Sequence, residues 1–208
     1  MKEGQEDIYY ITGASLEETL YSPYLEVFRE KGYEVLIMLD EVDDFIMGGL
    51  EYKGKRLKSV TRGDINLDKA DESDRKKASE KYEKILEFIK NILKEDVKDV
   101  RMSSRLKDSA CCLVGDEGDL DPQMEKIFKA MGQEVPVHKR ILEINPLHPV
   151  IEAMQSVLEK DIGNPVLGEY ARLLYDQAVL LEGSKPKDPA AFARSIAKLM
   201  ADNLKDRE

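Results

Sequence analysis

The sequence predicts an α+β fold, in which a small α/β unit precedes a unit with a small, about three-stranded sheet and several helices. Residues 8–39 read as strand, helix and strand, residues 100–144 contain three short strand-like runs, and residues 145–205 contain three amphipathic helices. Between the two units, residues 63–76 are mostly charged and lack hydrophobic periodicity. We therefore predict two domains, residues 1–73 and residues 74–208.

The first domain is predicted to begin with two parallel strands. Residues 8–12 are rich in β-forming side chains, and residues 34–39 form a nearly unbroken apolar run. Ser22 and Pro23 are typical of a helix start and Gly32 of a helix end, so a helix connects the strands and favours parallel pairing. Continuous apolarity also predicts that the strand at 34–39 is buried on both faces.

The remaining elements follow from hydrophobic period and from turn residues. They are a helix at 41–50, a strand at 57–61, a helix at 77–94, a β-hairpin of 100–106 and 110–114, a strand at 140–144, and helices starting near Pro146, Pro165 and Pro189.

Composition restricts the possible partners and compartments. The net charge is −10, and basic residues are mixed with acidic ones, which argues against nucleic acid as a partner. No apolar run approaches the ~20 residues that span a bilayer, and the charged first residues do not resemble a signal peptide. The adjacent Cys111 and Cys112 would point to opposite faces of a strand, so we expect small buried thiols without a disulfide and a cytosolic location.

A short helix near residue 125 has a sharply defined apolar stripe. Asp121 is the predicted cap, Pro122 the first helical residue and Gly132 the stop. Its apolar residues recur at i, i+3, i+4 and i+7: Met124, Ile127, Phe128 and Met131. The pattern fits either ordinary core or an adaptable, methionine-rich binding surface.

The last two helices form a helical hairpin that cannot bury both of its apolar stripes alone. One solution is a two-fold four-helix bundle with a second copy, and the other is packing against the preceding sheet. For the dimer, the predicted interface residues are Leu174, Ala178, Leu181, Phe192, Ile196, Leu199 and Met200.

Signals for catalysis are weak. The sequence contains no phosphate-binding glycine loop, nucleophile elbow or C-x-x-C pair. Asp40, Asp43 and Asp44 follow the end of a predicted parallel strand, where magnesium carboxylates occur, but acidic residues are also typical of a first helical turn. A magnesium-dependent enzyme is therefore the weakest alternative.

The chain resembles the ninety-kilodalton heat-shock chaperones, in their bacterial form, over nearly its whole length. The resemblance is carried by five separated motifs in the family's order: IYYIT at 8–12, SPYLE at 22–26, GYEVL at 32–36, VRMSSRL at 100–106 and EINP at 143–146. The family combines an ATP-binding amino-terminal domain, a middle domain and a carboxy-terminal dimerisation domain. The resemblance implies that this chain covers the end of the middle domain and the dimerisation domain.

The resemblance also implies what the chain does. ATP and Mg²⁺ are bound by the family's amino-terminal domain, so we expect no cofactor and no ATP hydrolysis here. We expect a homodimer that holds partly unfolded client proteins, through positions matching the family's client contacts, which are Phe45, Leu120, Met124, Ile127 and Phe128. Met131, at the end of the same apolar stripe, is predicted to add to this client surface. The tail that recruits tetratricopeptide co-chaperones is not found in the sequence. The alternative is a generic homodimeric interaction module that does not hold clients.

Overall fold

The computed structural model is an α+β protein with two small sheets, which confirms the predicted fold class. It describes residues 1–2, 5–40, 42–47, 49–65, 67, 72–120, 122–133 and 138–205.

The first sheet has four strands in the order β2-β1-β4-β3. Strand β1 is parallel to both of its neighbours, and β3 and β4 form an antiparallel hairpin. The elements of this unit, in chain order, are β1 (Ile8–Thr12), α1 (Leu16–Leu20), a 3-10 turn (Pro23–Leu25), α2 (Glu26–Lys31), β2 (Val35–Met38), α3 (Asp43–Met47), β3 (Glu51–Tyr52) and β4 (Lys55–Ser59).

The predicted parallel pair and its helical connection are confirmed. Gly32 ends α2 with a φ of 61°, a left-handed conformation that glycine adopts without a steric penalty. The prediction of burial on both faces of the second strand is wrong, because β2 is an edge strand and Leu36 is 47% exposed. The predicted strand at 57–61 overlaps β4, but β3 and its hairpin with β4 were not predicted, since a strand of two exposed residues shows no hydrophobic period.

The second sheet has three strands in the order β5-β7-β6 and is accompanied by the longer helices. The elements of this unit are α4 (Glu72–Ile92), β5 (Asp99–Met102), β6 (Cys111–Val114), α5 (Pro122–Ala130), β7 (Ile141–Ile144), α6 (Pro149–Lys160), α7 (Pro165–Leu181) and α8 (Pro189–Lys205).

The predicted β-hairpin is wrong, because β7 lies between β5 and β6. Strand β7 is parallel to β5 and antiparallel to β6. All four residues of β7 are buried, which requires the central position. The segment joining β5 to β6 is held by Glu26 of α2, whose carboxylate accepts hydrogen bonds from the backbone N–H groups of Lys107 (2.6 Å) and Asp108 (2.9 Å).

The second sheet separates two apolar cores. Cys111 and Leu113 face the core that contains α4, α6 and α7, whereas Cys112 and Val114 face the core of the first unit. This alternation explains why the adjacent cysteines are both buried and not joined by a disulfide, as predicted. Burial raises the pKa of the Cys111 thiol to about 12, so the thiol is neutral at physiological pH.

The core of the first unit includes residues from both sides of the predicted domain boundary. Leu106 and Ile141 pack in it together with Tyr9 and Phe28. Helix α4 begins at Glu72, so the predicted division after residue 73 falls within its first turn. The division into 1–73 and 74–208 stays a prediction.

A buried ionic network connects the two units. The carboxylate of Glu143 accepts hydrogen bonds from Nε (2.8 Å) and Nη2 (3.1 Å) of Arg105, and both side chains are fully buried. Arg101 and Ser103 donate to the same carboxylate at 2.8 Å. Arg105 also donates to the backbone carbonyls of Val60 and Gly63, which follow β4.

Replacing Glu143 with Gln should destabilise the fold strongly, because Arg105 would stay buried without a counter-charge. We expect the free energy of unfolding to fall by about 3–5 kcal/mol, measured by urea denaturation at a fixed protein concentration. The matched control is Glu51→Gln, which breaks an exposed ion pair with Arg56 and should leave the urea midpoint nearly unchanged. Equal effects of the two changes would contradict the role of the buried network.

Candidate interaction surfaces

The apolar stripe of α5 runs from buried to exposed along the helix. Met124 in the first half is 2% exposed, Ile127 and Phe128 are half-buried, and Met131 just beyond the last turn is 66% exposed. Gly132, with a φ of 77°, ends the helix as predicted, whereas the predicted cap Asp121 lies outside the described residues. Met124 is therefore packed inside the chain, and only the carboxyl-terminal part of the stripe is available to a partner.

An arginine holds the polar side of α5 against the body of the protein. Arg140 donates to the carboxylates of Glu125 in α5 at 2.7 Å and Glu182 at 3.2 Å, and its Nη1 lies 3.6 Å from a carboxylate oxygen of Asp119. All four of these side chains are mostly buried. The three carboxylates that pair with Arg140 lie before α5, within α5 and directly after α7. Arg140 therefore fixes the amino-terminal half of α5 relative to α7.

Leu120 lines a cleft that lies between the two units. The cleft has a volume of about 670 Å³ and is bounded by the end of β1, the segment after it and the last turn of α7. Its apolar walls include Ile11, Tyr24 and Leu181. This places the half-buried Leu120 at a concave surface beside the start of α5.

The client contact predicted at Phe45 stays a prediction. Phe45 lies in α3, and its side chain is outside the described residues. Nearby, the carboxylate of Asp43 accepts a hydrogen bond from the backbone N–H of Asp40 at 3.0 Å, the geometry of a helix start. Among the described residues, no three acidic, cysteine or histidine side chains are arranged to hold a metal ion.

The predicted dimer residues fall into two groups. Leu174 and Ala178 of α7 are buried in the core of their own chain, so they support α7 from inside. Leu181 is exposed, Phe192, Ile196 and Leu199 are half-buried, and Met200 is 64% exposed. None of the residues of α8 is buried, although the helix carries a continuous apolar stripe.

A groove beside α8 extends this exposed surface. It has a volume of about 440 Å³ and lies between α7, the start of α6 and Leu199 of α8. Tyr170, Leu173 and Leu181 contribute apolar wall. The last two helices therefore contact each other and leave an apolar groove beside α8 open to solvent.

The charged residues that hold these surfaces in place were not predicted from the sequence. Glu143 gave a usable signal, since a carboxylate within the apolar run of β7 must find a cation once that strand is buried. Arg140 gave no such signal, because its three acidic partners are spread between residues 119 and 182 and only the fold brings them together.

Comparison with known proteins identifies the family. A family model described as Hsp90 protein matches residues 1–208, which is the whole chain. The chain belongs to the Hsp90 protein family.

The Hsp90-family relatives include bacterial proteins named chaperone protein HtpG. The chain is 52% identical over 206 residues to that of Geobacter sulfurreducens and 50% identical to that of Geobacter metallireducens, with 96% of this chain and 32% of each relative covered. The protein of Frankia casuarinae is 43% identical over 210 residues, again over 32% of its length. This Hsp90-family chain therefore spans about a third of the length of the relatives it matches.

The helices described in this Hsp90-family chain include none with both the length and the apolarity needed to cross a bilayer.

Methionines 124 and 131 of this Hsp90-family chain should respond differently to truncation. Met124→Ala would leave a cavity and should lower the free energy of unfolding by about 2–5 kcal/mol. Met131→Ala removes a side chain that is 66% exposed, and its urea midpoint should match that of the unchanged protein. The assignment of Met124 to the interior would be wrong if both variants kept the original midpoint.

Proposed function

We propose that this Hsp90-family chain pairs with a second copy of itself and holds unfolded polypeptide as part of a chaperone. The observation that carries the proposal is the absence of any buried residue in α8, whose stripe includes Phe192, Ile196, Leu199 and Met200. Removing one large apolar side chain from water contributes about 1.5–3 kcal/mol, so a stripe of this length favours association.

A second copy is the simplest partner for this stripe. In a two-fold arrangement, α8 and the end of α7 of each copy would meet the same surface of the other, which gives a four-helix bundle. The exposed Leu181 and the groove along α7 lie on the same side as the half-buried Leu199, which lines that groove. Leu174 and Ala178 then act as the internal support of α7 and not as contacts of the interface.

The proposed client surface is the exposed end of α5 together with the cleft beside Leu120. Phe128 and Ile127 are half-buried, so they offer apolar area without being sealed, and Met131 adds a flexible and polarisable side chain. Contacts of this size are weak individually. Two copies in one dimer would present two such surfaces, and simultaneous binding would raise the affinity for one client.

The relatives' printed name, chaperone protein, supports the client-holding part of the proposal. The proposal gives this chain no catalytic step and no cofactor. Cytosolic location and the lack of nucleic-acid partners stay predictions from the charge and composition of the sequence.

A charge placed in the apolar stripe of α8 should abolish pairing. Ile196→Glu would put a carboxylate into the proposed dimer contact, and we expect a monomer in sedimentation velocity where the unchanged chain is a dimer. The control is Ala201→Glu, which adds the same charge at an exposed position on another side of the helix, about 140° away. Two variants with the same sedimentation coefficient would contradict the α8 interface.

Removal of the exposed end of the α5 stripe should weaken client holding without affecting pairing. Phe128→Ser combined with Met131→Ser would remove apolar contact area, so we expect severalfold less suppression of aggregation when a chemically denatured enzyme is diluted into the protein. Lys129→Ser is the control, because it changes an exposed polar position of the same helix.

Two results of this aggregation assay separate the alternatives. Loss of suppression in a variant that still sediments as a dimer supports the client surface. A dimer that never suppresses aggregation, even without substitutions, would favour the generic interaction module instead.

A further inference from the structure

Asp96 carries a buried carboxylate that connects three elements of the second unit. It lies in the turn after α4, and its side chain is only 4% exposed. Its two carboxylate oxygens are bound by Arg172 of α7 and by Lys187 of the connection between α7 and α8. Arg172 also donates to the backbone carbonyl of Ile92, the last residue of α4, at 3.2 Å.

The connection between α7 and α8, which contains Lys187, fixes where α8 begins. Pro186 is buried, Lys187 is bound to Asp96, and Asp188 accepts a hydrogen bond from the backbone N–H of Ala191 at 2.8 Å, which caps the first turn of α8. Three consecutive residues therefore anchor the start of the helix. Helix α8 has no fully buried residue of its own, so its direction is set by this anchor together with the partial packing of its half-buried side chains.

Along its length, α8 contacts α7 through side chains that are at most half-buried and through an exposed ion pair. Lys198 pairs with Glu169 at 2.7 Å, and both of these side chains are more than half exposed. Exposed pairs of this kind contribute little, because solvent screens them. Contacts to Asp96 are different, since its carboxylate is withdrawn from solvent and accepts from two cations.

The charge state of Asp96 fits a permanent contact. Burial alone would raise the pKa of Asp96, but the hydrogen bonds and the positive charges of Lys187 and Arg172 together outweigh burial and hold the pKa below its usual value. The carboxylate of Asp96 is therefore negatively charged at neutral pH, and it pairs with the positive charges of Arg172 and Lys187.

We propose that Asp96 is a positioning residue for the dimer: through Lys187 it sets the direction in which α8 leaves the core and so presents the α8 stripe to the second copy. The inference rests on the proposed pairing through α8 and adds the group that prepares the surface for it. An interface element fixed before association loses less conformational entropy when it binds, which favours a lower dissociation constant.

The test is the dimer dissociation constant of the full 208-residue chain, measured by sedimentation velocity over a dilution series. Asp96→Asn should raise this constant about tenfold, because the neutral amide binds the cations less strongly. Asp96→Glu keeps the charge and should restore most of the affinity. Lys185→Met is the matched control, since Lys185 is an exposed lysine of the same connection, and its constant should equal that of the unchanged chain.

A double-mutant cycle tests whether Asp96 acts through Lys187. Lys187→Met should raise the dissociation constant as well, and the double variant should be no weaker than Asp96→Asn alone, because both changes break one contact. Additive effects, or an unchanged constant in Lys187→Met, would overturn the proposal. Since Lys187 is 75% exposed, its replacement keeps the test valid even if Asp96→Asn disturbs folding.

Amide hydrogen exchange separates positioning from general destabilisation. In Lys187→Met, protection in α4 and α7 should be retained while protection in the first turns of α8 falls. Loss of protection throughout α4 and α7 would overturn the positioning role. A chain that is monomeric before any substitution would contradict the proposed function itself, a result distinct from a dimer that ignores both changes.

Discussion

Glu143 places a charge in the central strand of the second sheet, where the neighbouring side chains of β7 are apolar and buried. Removing a carboxylate from water costs several kcal/mol unless cations and hydrogen-bond donors replace the solvent. Arg101 and Arg105 do so, and Arg105 extends to carbonyl groups of the first unit. The buried carboxylate of Glu143 thereby couples the two units. If Arg105 moved away with the first unit, Glu143 would stay buried with part of its negative charge uncompensated.

The same principle recurs where the apolar surfaces lie. Arg140, surrounded by Asp119, Glu125 and Glu182, holds the first half of α5, and Asp96, between two cations, anchors the start of α8. Exposed apolar stripes would gain free energy by collapsing onto their own chain. The ion pairs attach the first part of each helix to distant elements of the chain, while the far end of each stripe stays exposed.

Local sequence was sufficient for most single elements. The starts of α7 and α8 follow from Asn164–Pro165 and from Asp188–Pro189, because a capping side chain and a proline at the first helical position act within one turn. The parallel pairing of β1 with β2 followed from the helix that connects them. The hairpin prediction failed because proximity in sequence favoured β5 with β6, and nothing local reveals that β7 lies between them.

The residues of the chain by themselves determined most of the secondary structure, the separation of Cys111 from Cys112 and the identity of the two amphipathic stripes, since all of these depend on side-chain period over a few residues. Only the tertiary structure decided which part of each stripe is available. Met124 and Met131 have the same side chain and the same place in the pattern, yet one is buried and the other exposed. Burial depends on what packs against a residue, and those contacts come from distant parts of the chain.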